Sequence, residues 1–515
     1  MNLESKYVFF SIVAFMCVVM LSSCTPEPPR LDLSDHVLIP HPVEITASHS
    51  SFLFTDETTI SPSEDALMNQ AVNLSKSLGG LEVSGEAEEA GIILKLTPKD
   101  TILGTEGYRL IIDREKVEIS AVNPAGVFYG IQTLLQLIPA GMTKDIAIPT
   151  GEILDYPRYA YRGAMLDVSR HFFGKDDVKR YIDFLADYKL NALHLHLSDD
   201  QGWRIEIQSK PELTVVGSTS EVGTGSGGFY TQDDFKEMVE YAADRFITII
   251  PEIDMPGHTQ AALVSYPELN CDGLPRELYR GTEVGFSTLC TDKEETYEFV
   301  DSVIKELAAI TPGEFIHIGG DESHATQKDD YIYFINRVQE IVSKYNKTMI
   351  GWDEIAQAQI EGGTIVQQWN SAGNAVLAAE KGNRIILSPA KLAYLDMKYD
   401  STTRLGLAWA SYIEVDQAYN WDPDTINSTI DPKLIYGIEA PLWTETVEQM
   451  DDIEYLVFPR LPGYAEIGWS PQSVRSWATY RKRLAGHTSR LKEQEIDFYR
   501  SPLVDWGGQN SLGSE

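Results

Sequence analysis

The segment Phe315-Ile-His317-Ile-Gly319-Gly320-Asp321-Glu322-Ser323-His324 joins a short apolar run to two glycines and two adjacent carboxylic acids. Phe315, Ile316 and Ile318 predict a buried strand. The glycines break the strand and let the backbone turn closely. Carboxylates just past the C-terminal end of a buried parallel strand sit where a β/α barrel keeps its chemistry. Adjacent acids repel, and burial penalises the charged form of each. Their pKa values therefore split, so that one holds a proton near neutral pH, the condition for general acid–base work. The competing reading makes Asp321 and Glu322 an N-cap acid pair on the next helix.

On either side of this segment the chain alternates strand and helix patterns. Candidate strands span 163–168, 192–197, 247–250, 315–318, 348–351, 364–368, 384–387 and 435–438, and helical patterns at 175–188, 232–245, 294–310 and 331–345 fall between them. Eight strands fit an α/β fold of the (β/α)8 TIM-barrel type over residues 156–500 better than a doubly wound sheet. Upstream, residues 35–155 mix strand patterns at 91–96, 108–112 and 117–121 with helical patterns at 66–78 and 123–137, which predicts a small N-terminal α/β domain. The prolines and glycine of 148–157 read as the boundary, the Gly/Ser-rich run 214–228 as a long surface loop, and 501–515 as a tail.

The N-terminus reads as a targeting segment. Lys6 precedes an apolar run to Leu21, too short for a membrane span, and Leu21-Ser22-Ser23-Cys24 matches a bacterial lipoprotein signal with lipid attached at Cys24, the competing reading being an ordinary secretory signal with an incidental cysteine. Residues 25–34, rich in proline, read as a tether, and the chain as exported and lipid-anchored to a bacterial membrane. Of the four cysteines, Cys271 and Cys290 are left to form one disulfide. A formal net charge of −35 argues against nucleic acid or an anionic membrane surface as partner. No CxxC or HExxH pattern points to a metal, and no cofactor is expected.

Function-capable residues gather at the strand ends. They include Asp167 to His171, His194, His196, Asp199, Asp200 and Trp203, then Glu252, Asp254 and His258, then the acid pair. Trp352-Asp353-Glu354, Trp369, Tyr394-Leu-Asp396 and Trp443-Thr-Glu445 follow the later strands. Rigid aromatic rings bury the C–H faces of sugars while carboxylates and arginine bind hydroxyls. Arg170 is costly to bury unpaired, so it must meet carboxylates or ligand hydroxyls. A metal-dependent barrel hydrolase using His194, His196, Asp199 and His258 is the alternative from another class.

Arg170-His171-Phe172, His194 to Trp203, Pro251 to His258, His317 to Glu322, Gly351-Trp352-Asp353 and Trp443-Thr-Glu445, in that order, resemble the motifs of the family-20 glycoside hydrolases, the β-N-acetylhexosaminidases. The resemblance implies an exo-acting retaining enzyme that removes terminal β-linked GlcNAc or GalNAc from an oligosaccharide or glycoconjugate. In that family the substrate's own 2-acetamido oxygen is the nucleophile. Glu322 would be the general acid and then the base, and Asp321 would orient the acetamido nitrogen and stabilise its developing charge. Arg170, Asp396 and Glu445 would bind hydroxyls, Tyr394 the acetamido oxygen, and Trp352, Trp369 and Trp443 would line the pocket. Asp199 and His258 would support the site, with Asp254 and His317 behind them. A catalytically silent sugar-binding lipoprotein and a lacto-N-biosidase of the same family are the competing readings.

Overall fold

The computed structural model describes residues 29–84, 91–142 and 146–507. The expected signal and Cys24, part of the tether and part of the C-terminal tail lie outside the described residues.

The first unit is one six-stranded mixed sheet. Its strands are β1 (Glu44–Phe54), β2 (Ile60–Pro62), β3 (Ile92–Leu96), β4 (Tyr108–Ile112), β5 (Val117–Ala121) and β6 (Ile146–Asp155), in the order β1-β6-β4-β5-β3-β2. Helices α1 (Met68–Ser77) and α2 (Pro124–Leu137) belong to the same unit, and α2 packs on β4 and β5. A Cβ at Gly130 would come within 2.5 Å of Ile119 Cγ2, so glycine sets how closely the helix approaches the sheet.

Residues 148–155, read above as boundary, instead form most of β6. Pro149 pairs with Ser51 beside a register shift in β1, and the pairing of β6 with β4 runs only from Gly151 to Asp155. Its missing N–H therefore removes no bond from a regular ladder.

The second unit is a closed parallel barrel. It is formed by β7 (Tyr161–Asp167), β8 (Ala192–His196), β9 (Thr248–Glu252), β10 (Phe315–His317), β11 (Thr348–Trp352), β12 (Ile365–Gln368), β13 (Arg384–Leu387) and β14 (Ile435–Leu442). Pairing of β14 with β7, from Gly437↔Tyr161 to Leu442↔Leu166, closes it. The strands are buried nearly throughout, as expected when helices cover a parallel sheet.

Buried charges join the two units. Lys189 Nζ sits 3.0 Å from Asp155 Oδ2 and 2.9 Å from the Tyr108 hydroxyl. Arg162 donates two bonds of 3.0 Å to Glu106. The run 214–228 starts in the last residues of a helical turn, Glu212–Val215, and has no helix or strand after it, as expected of a surface loop. Fully buried Arg204 donates to the carbonyls of Ser218, Ser220 and Gly228 and clamps it to the barrel.

Candidate active site

The acid pair leaves β10 through a turn that only glycine can make. Gly319 and Gly320 have φ of 65° and 100°, and a Cβ on Gly319 would lie 1.8 Å from Asp254 Oδ1. Asp254 Oδ1 accepts the Gly320 N–H at 3.0 Å, and the Tyr331 hydroxyl donates to Gly320 O at 2.6 Å. Glu322 itself takes φ 45°, a strained value for a side chain of its size. The next helix begins at Lys328 with Gln327 at its cap, so the pair caps no helix.

Behind the pair lies a chain of alternating imidazoles and carboxylates. His258 Nε2 faces Glu322 Oε2 at 3.6 Å and Asp321 Oδ2 at 3.8 Å. His258 Nδ1 meets Asp199 Oδ1 at 3.2 Å, and Asp199 Oδ2 also binds His196 Nε2 at 2.9 Å and Arg170 Nη2 at 2.7 Å. His196 Nδ1 continues to Glu252 Oε2 at 2.5 Å, which His194 Nε2 approaches to 3.0 Å. His194 Nδ1 is bound to Glu439 Oε1 at 2.9 Å. His194, His196 and the Nδ1 of His258 are thus bonded to carboxylates and with Asp199 form a buried relay, in which Asp254, His258 and Asp321 also lie close enough to hold a cation.

These contacts set the charges. Burial alone would raise Asp199, but Arg170 and His258 hold it well below the carboxylate range. Burial, reinforced by the charge of Asp254, pushes Asp321 well above that range. Burial also works to raise Glu322, yet the imidazole of His258, 3.6 Å away, holds it below its ordinary value. The expected split is present, but its direction in the ligand-free site raises Asp321 and lowers Glu322, the reverse of what the resemblance asks of the acid.

The pair opens into a cavity of about 380 Å³ lined by Arg170, Trp369, Tyr394, Asp396, Trp443 and Glu445 among others. Asp396 carries two buried carboxylate oxygens with no hydrogen-bond partner among the described residues, and Glu445 Oε2 and Arg170 Nε are in the same condition. Burial, then the charge of Glu445, pushes Asp396 well above the usual range, and burial raises Glu445 against the pull of Arg170. Such groups are costly unless a ligand satisfies them.

Comparison with known proteins matches this arrangement. The pattern of "Glycosyl hydrolase family 20, catalytic domain" covers residues 159–331 and 324–472, and that of "Glycosyl hydrolase family 20, domain 2" covers 35–156. The chain belongs to glycosyl hydrolase family 20. It is 39% identical over 491 residues to a beta-N-acetylhexosaminidase of Cellulomonas fimi, spanning 93% of this chain and 99% of that one. The Streptomyces plicatus N-acetyl-beta-hexosaminidase, solved in complex with thio-NAglucal, superposes with a TM-score of 0.89 at 48% identity over 93% of this chain and 99% of that one. A family-20 beta-N-acetylhexosaminidase from Streptomyces coelicolor gives a TM-score of 0.89 at 47% identity, covering 92% and 100% of the two chains.

Within this family-20 site the tryptophans separate by role. Trp369 and Trp443 reach the cavity, whereas Trp352 is 1% exposed, packs against Trp443 at 5.8 Å and donates its indole N–H to Glu252 at 2.9 Å. Trp352 therefore backs the wall and does not line it. Asp199 and His258 likewise stand behind the acid pair, and Arg170 lies over the Trp443 ring at 4.7 Å. Asp353 accepts the backbone N–H groups of Trp369, Asn370 and Ser371, which pins the turn that carries Trp369.

Sequence reasoning missed Trp409, which is 57% exposed and meets Trp369 at 6.1 Å and Tyr394 at 6.0 Å edge-on. It arrives on an irregular segment with no strand or helix pattern to place it. Thr282 and Val284 complete the mouth from the loop between Cys271 and Cys290, which are bonded with Cα atoms 4.8 Å apart.

Proposed function

We propose that the protein is an exo-acting, retaining β-N-acetylhexosaminidase that removes terminal β-linked GlcNAc or GalNAc by substrate-assisted catalysis. The observation that carries this reading is the placement of two adjacent acids, Asp321 and Glu322, at the wall of one aromatic cavity. A retaining enzyme with its own nucleophile places two carboxyl groups about 5 Å apart across the scissile bond. Adjacent residues on one turn instead serve one side of the sugar: one handles the leaving oxygen and the other the C2 substituent.

Asp321 Oδ1 has no hydrogen-bond partner among the described residues and suits the acetamido N–H. Accepting that N–H, and the positive charge that grows on it, requires Asp321 ionised. Protonating the glycosidic oxygen requires Glu322 protonated. Substrate binding therefore moves the proton of the pair from Asp321 to Glu322. Covering Glu322 with the sugar raises its pKa in the required direction. Arg170, Asp396 and Glu445, short of partners in the free site, fit the ring hydroxyls. Tyr394 fits the acetamido oxygen, and Trp369 and Trp443 the acetamido methyl and sugar face. A Streptomyces plicatus relative, 47% identical, is held in complex with the product GlcNAc, which supports the substrate class.

The test is turnover of p-nitrophenyl β- and α-N-acetylhexosaminides, with NMR of the anomer first released. Release of the β-anomer from the β-substrate alone is expected, and α-anomer release would exclude retention.

The leader pattern further supports export and lipid anchoring through Cys24. Radiolabelled palmitate incorporated by the wild type and absent from Cys24→Ser is the expected result, and equal labelling of the two would remove the proposal.

A further inference from the structure

The Trp352-Asp353-Glu354 turn follows β11 and packs directly on the turn that carries the acid pair. Trp352 N donates to Gly319 O at 2.9 Å, and a Cβ on Gly320 would strike Ile355 Cγ2 at 2.7 Å. From this turn Glu354 Oε2 accepts the Trp369 indole N–H at 3.0 Å. Trp369 in turn lies nearly parallel to Tyr394, at 18° and 6.4 Å between centroids, and edge-on to Trp409. Glu354 thus holds a side chain of the cavity wall through a direct hydrogen bond.

We propose that Glu354 is a positioning residue for this reaction: its carboxyl fixes the Trp369 indole against Tyr394, and its charge state is felt by Asp321. The inference rests on the role given above to the acid pair. The groups that face Glu354 are Asp353 in its own turn, Asp321 at the end of β10, Tyr331 on the helix Lys328–Lys344, and Tyr394 after β13. All are acids or phenols. Burial, then the charges of Asp353 and Asp321, push Glu354 up to about 8. A protonated Glu354 keeps its acceptor oxygen on Trp369 while adding no negative charge beside Asp321. Asp321 can then ionise when the acetamido group arrives. Above that pH a second carboxylate repels the first and drives the pair's own titration upward.

Two substitutions separate the roles. Glu354→Gln keeps a carbonyl oxygen for the indole N–H and cannot ionise. Glu354→Leu removes the acceptor. On p-nitrophenyl β-GlcNAc, Glu354→Gln is expected within about threefold of wild-type kcat/KM on the acid side of the optimum, with the alkaline limb moved to lower pH by about half a unit or more. Glu354→Leu is expected to raise KM by roughly tenfold while kcat falls less, because the sugar loses an aligned wall. An alkaline limb unchanged in Glu354→Gln, or a wild-type KM in Glu354→Leu, overturns the proposal.

A readout without turnover keeps this apart from the functional reading. Tryptophan emission of the wild type should change around the titration of Glu354, near pH 8, and that change should vanish in Glu354→Gln. Identical emission profiles overturn the proposal even where hydrolysis is as expected. Intact emission behaviour with no hydrolysis by the wild type would overturn the hydrolase reading alone.

Discussion

His258 and Glu322 face each other across 3.6 Å, with the far nitrogen of the same imidazole held by Asp199 at 3.2 Å. Asp199 is fixed in turn by Arg170 and His196, so the ring cannot swing away without breaking a buried ion pair. Asp199 and Asp254 raise His258 well above the ordinary histidine range against the pull of burial, so it is a cation at neutral pH. Replacing it with Asn removes the charge that depresses Glu322. The Glu322 carboxyl should then titrate at higher pH, and kcat/KM should keep its alkaline side further up the scale. An overall loss of about 10- to 100-fold in kcat is expected from the lost orientation. A pH profile with unshifted limbs would show that His258 does not tune the acid.

Glu322→Gln keeps the side-chain shape and abolishes proton transfer. Poor leaving groups need that proton most. Cleavage of a disaccharide should fall by roughly a thousandfold or more, while the first step on an aryl glycoside with an acidic phenol should suffer far less. Pre-steady-state bursts separate the two steps. Wild-type disaccharide turnover would place the acid elsewhere.

The loop between Cys271 and Cys290 delivers Thr282 and Val284 to the mouth of the cavity. Its 19-residue separation implies that the bond contributes about 3 kcal/mol in the chain-entropy picture. The Cys271→Ser/Cys290→Ser double variant should unfold at lower denaturant by that amount and show a raised KM with little change in kcat. Urea melts and steady-state kinetics read both effects.

Several buried acids hold protons in the folded state that they would release when unfolded. Asp254 is pushed up to about 7 and Glu354 to about 8, each first by burial. A folded-state pKa above the unfolded value contributes stability that is full below the unfolded pKa and is lost as pH rises through the folded one. Between about pH 5 and 9 these two groups should therefore make the unliganded enzyme less stable as pH rises. Asp254→Asn should flatten that slope in thermal melts between about pH 5 and 7, where the opposite slope from His487, pushed down to about 3 by burial, is common to both proteins. A slope as steep as the wild type's would show that Asp254 titrates normally.

Much of the site was legible because chemistry at the strand ends left short, dense signatures. The Phe315 run, its two glycines and the acid pair predicted a strand, a turn and a site, and β10 with its positive-φ glycines is that arrangement. All eight barrel strands lie where the apolar runs placed them, because strands buried on both faces read as continuous hydrophobic segments. β1, β2 and β6 were missed: β1 is rich in serine and mostly not buried, β2 is three residues ending in Pro62, and β6 carries Pro149 and Gly151. Trp409 was missed because no local pattern tells an exposed loop tryptophan from one that completes a cavity. The direction of the proton split was also hidden, since it depends on His258 lying nearer Glu322 than Asp321, by 3.6 Å against 3.8 Å, and on Asp254 beside Asp321.

The central claim is that the substrate's own acetamido oxygen attacks the anomeric carbon. It is tested most directly by kcat/KM for p-nitrophenyl β-glucosaminides whose N-acetyl group carries none, one, two or three fluorines. Each fluorine withdraws electrons from the carbonyl oxygen with little change in size, so it weakens the nucleophile while leaving the leaving group alone. The rate should fall at every step, by about a hundredfold or more across the series. Near-equal values across the four substrates would contradict substrate assistance and require a nucleophile from the protein or from water.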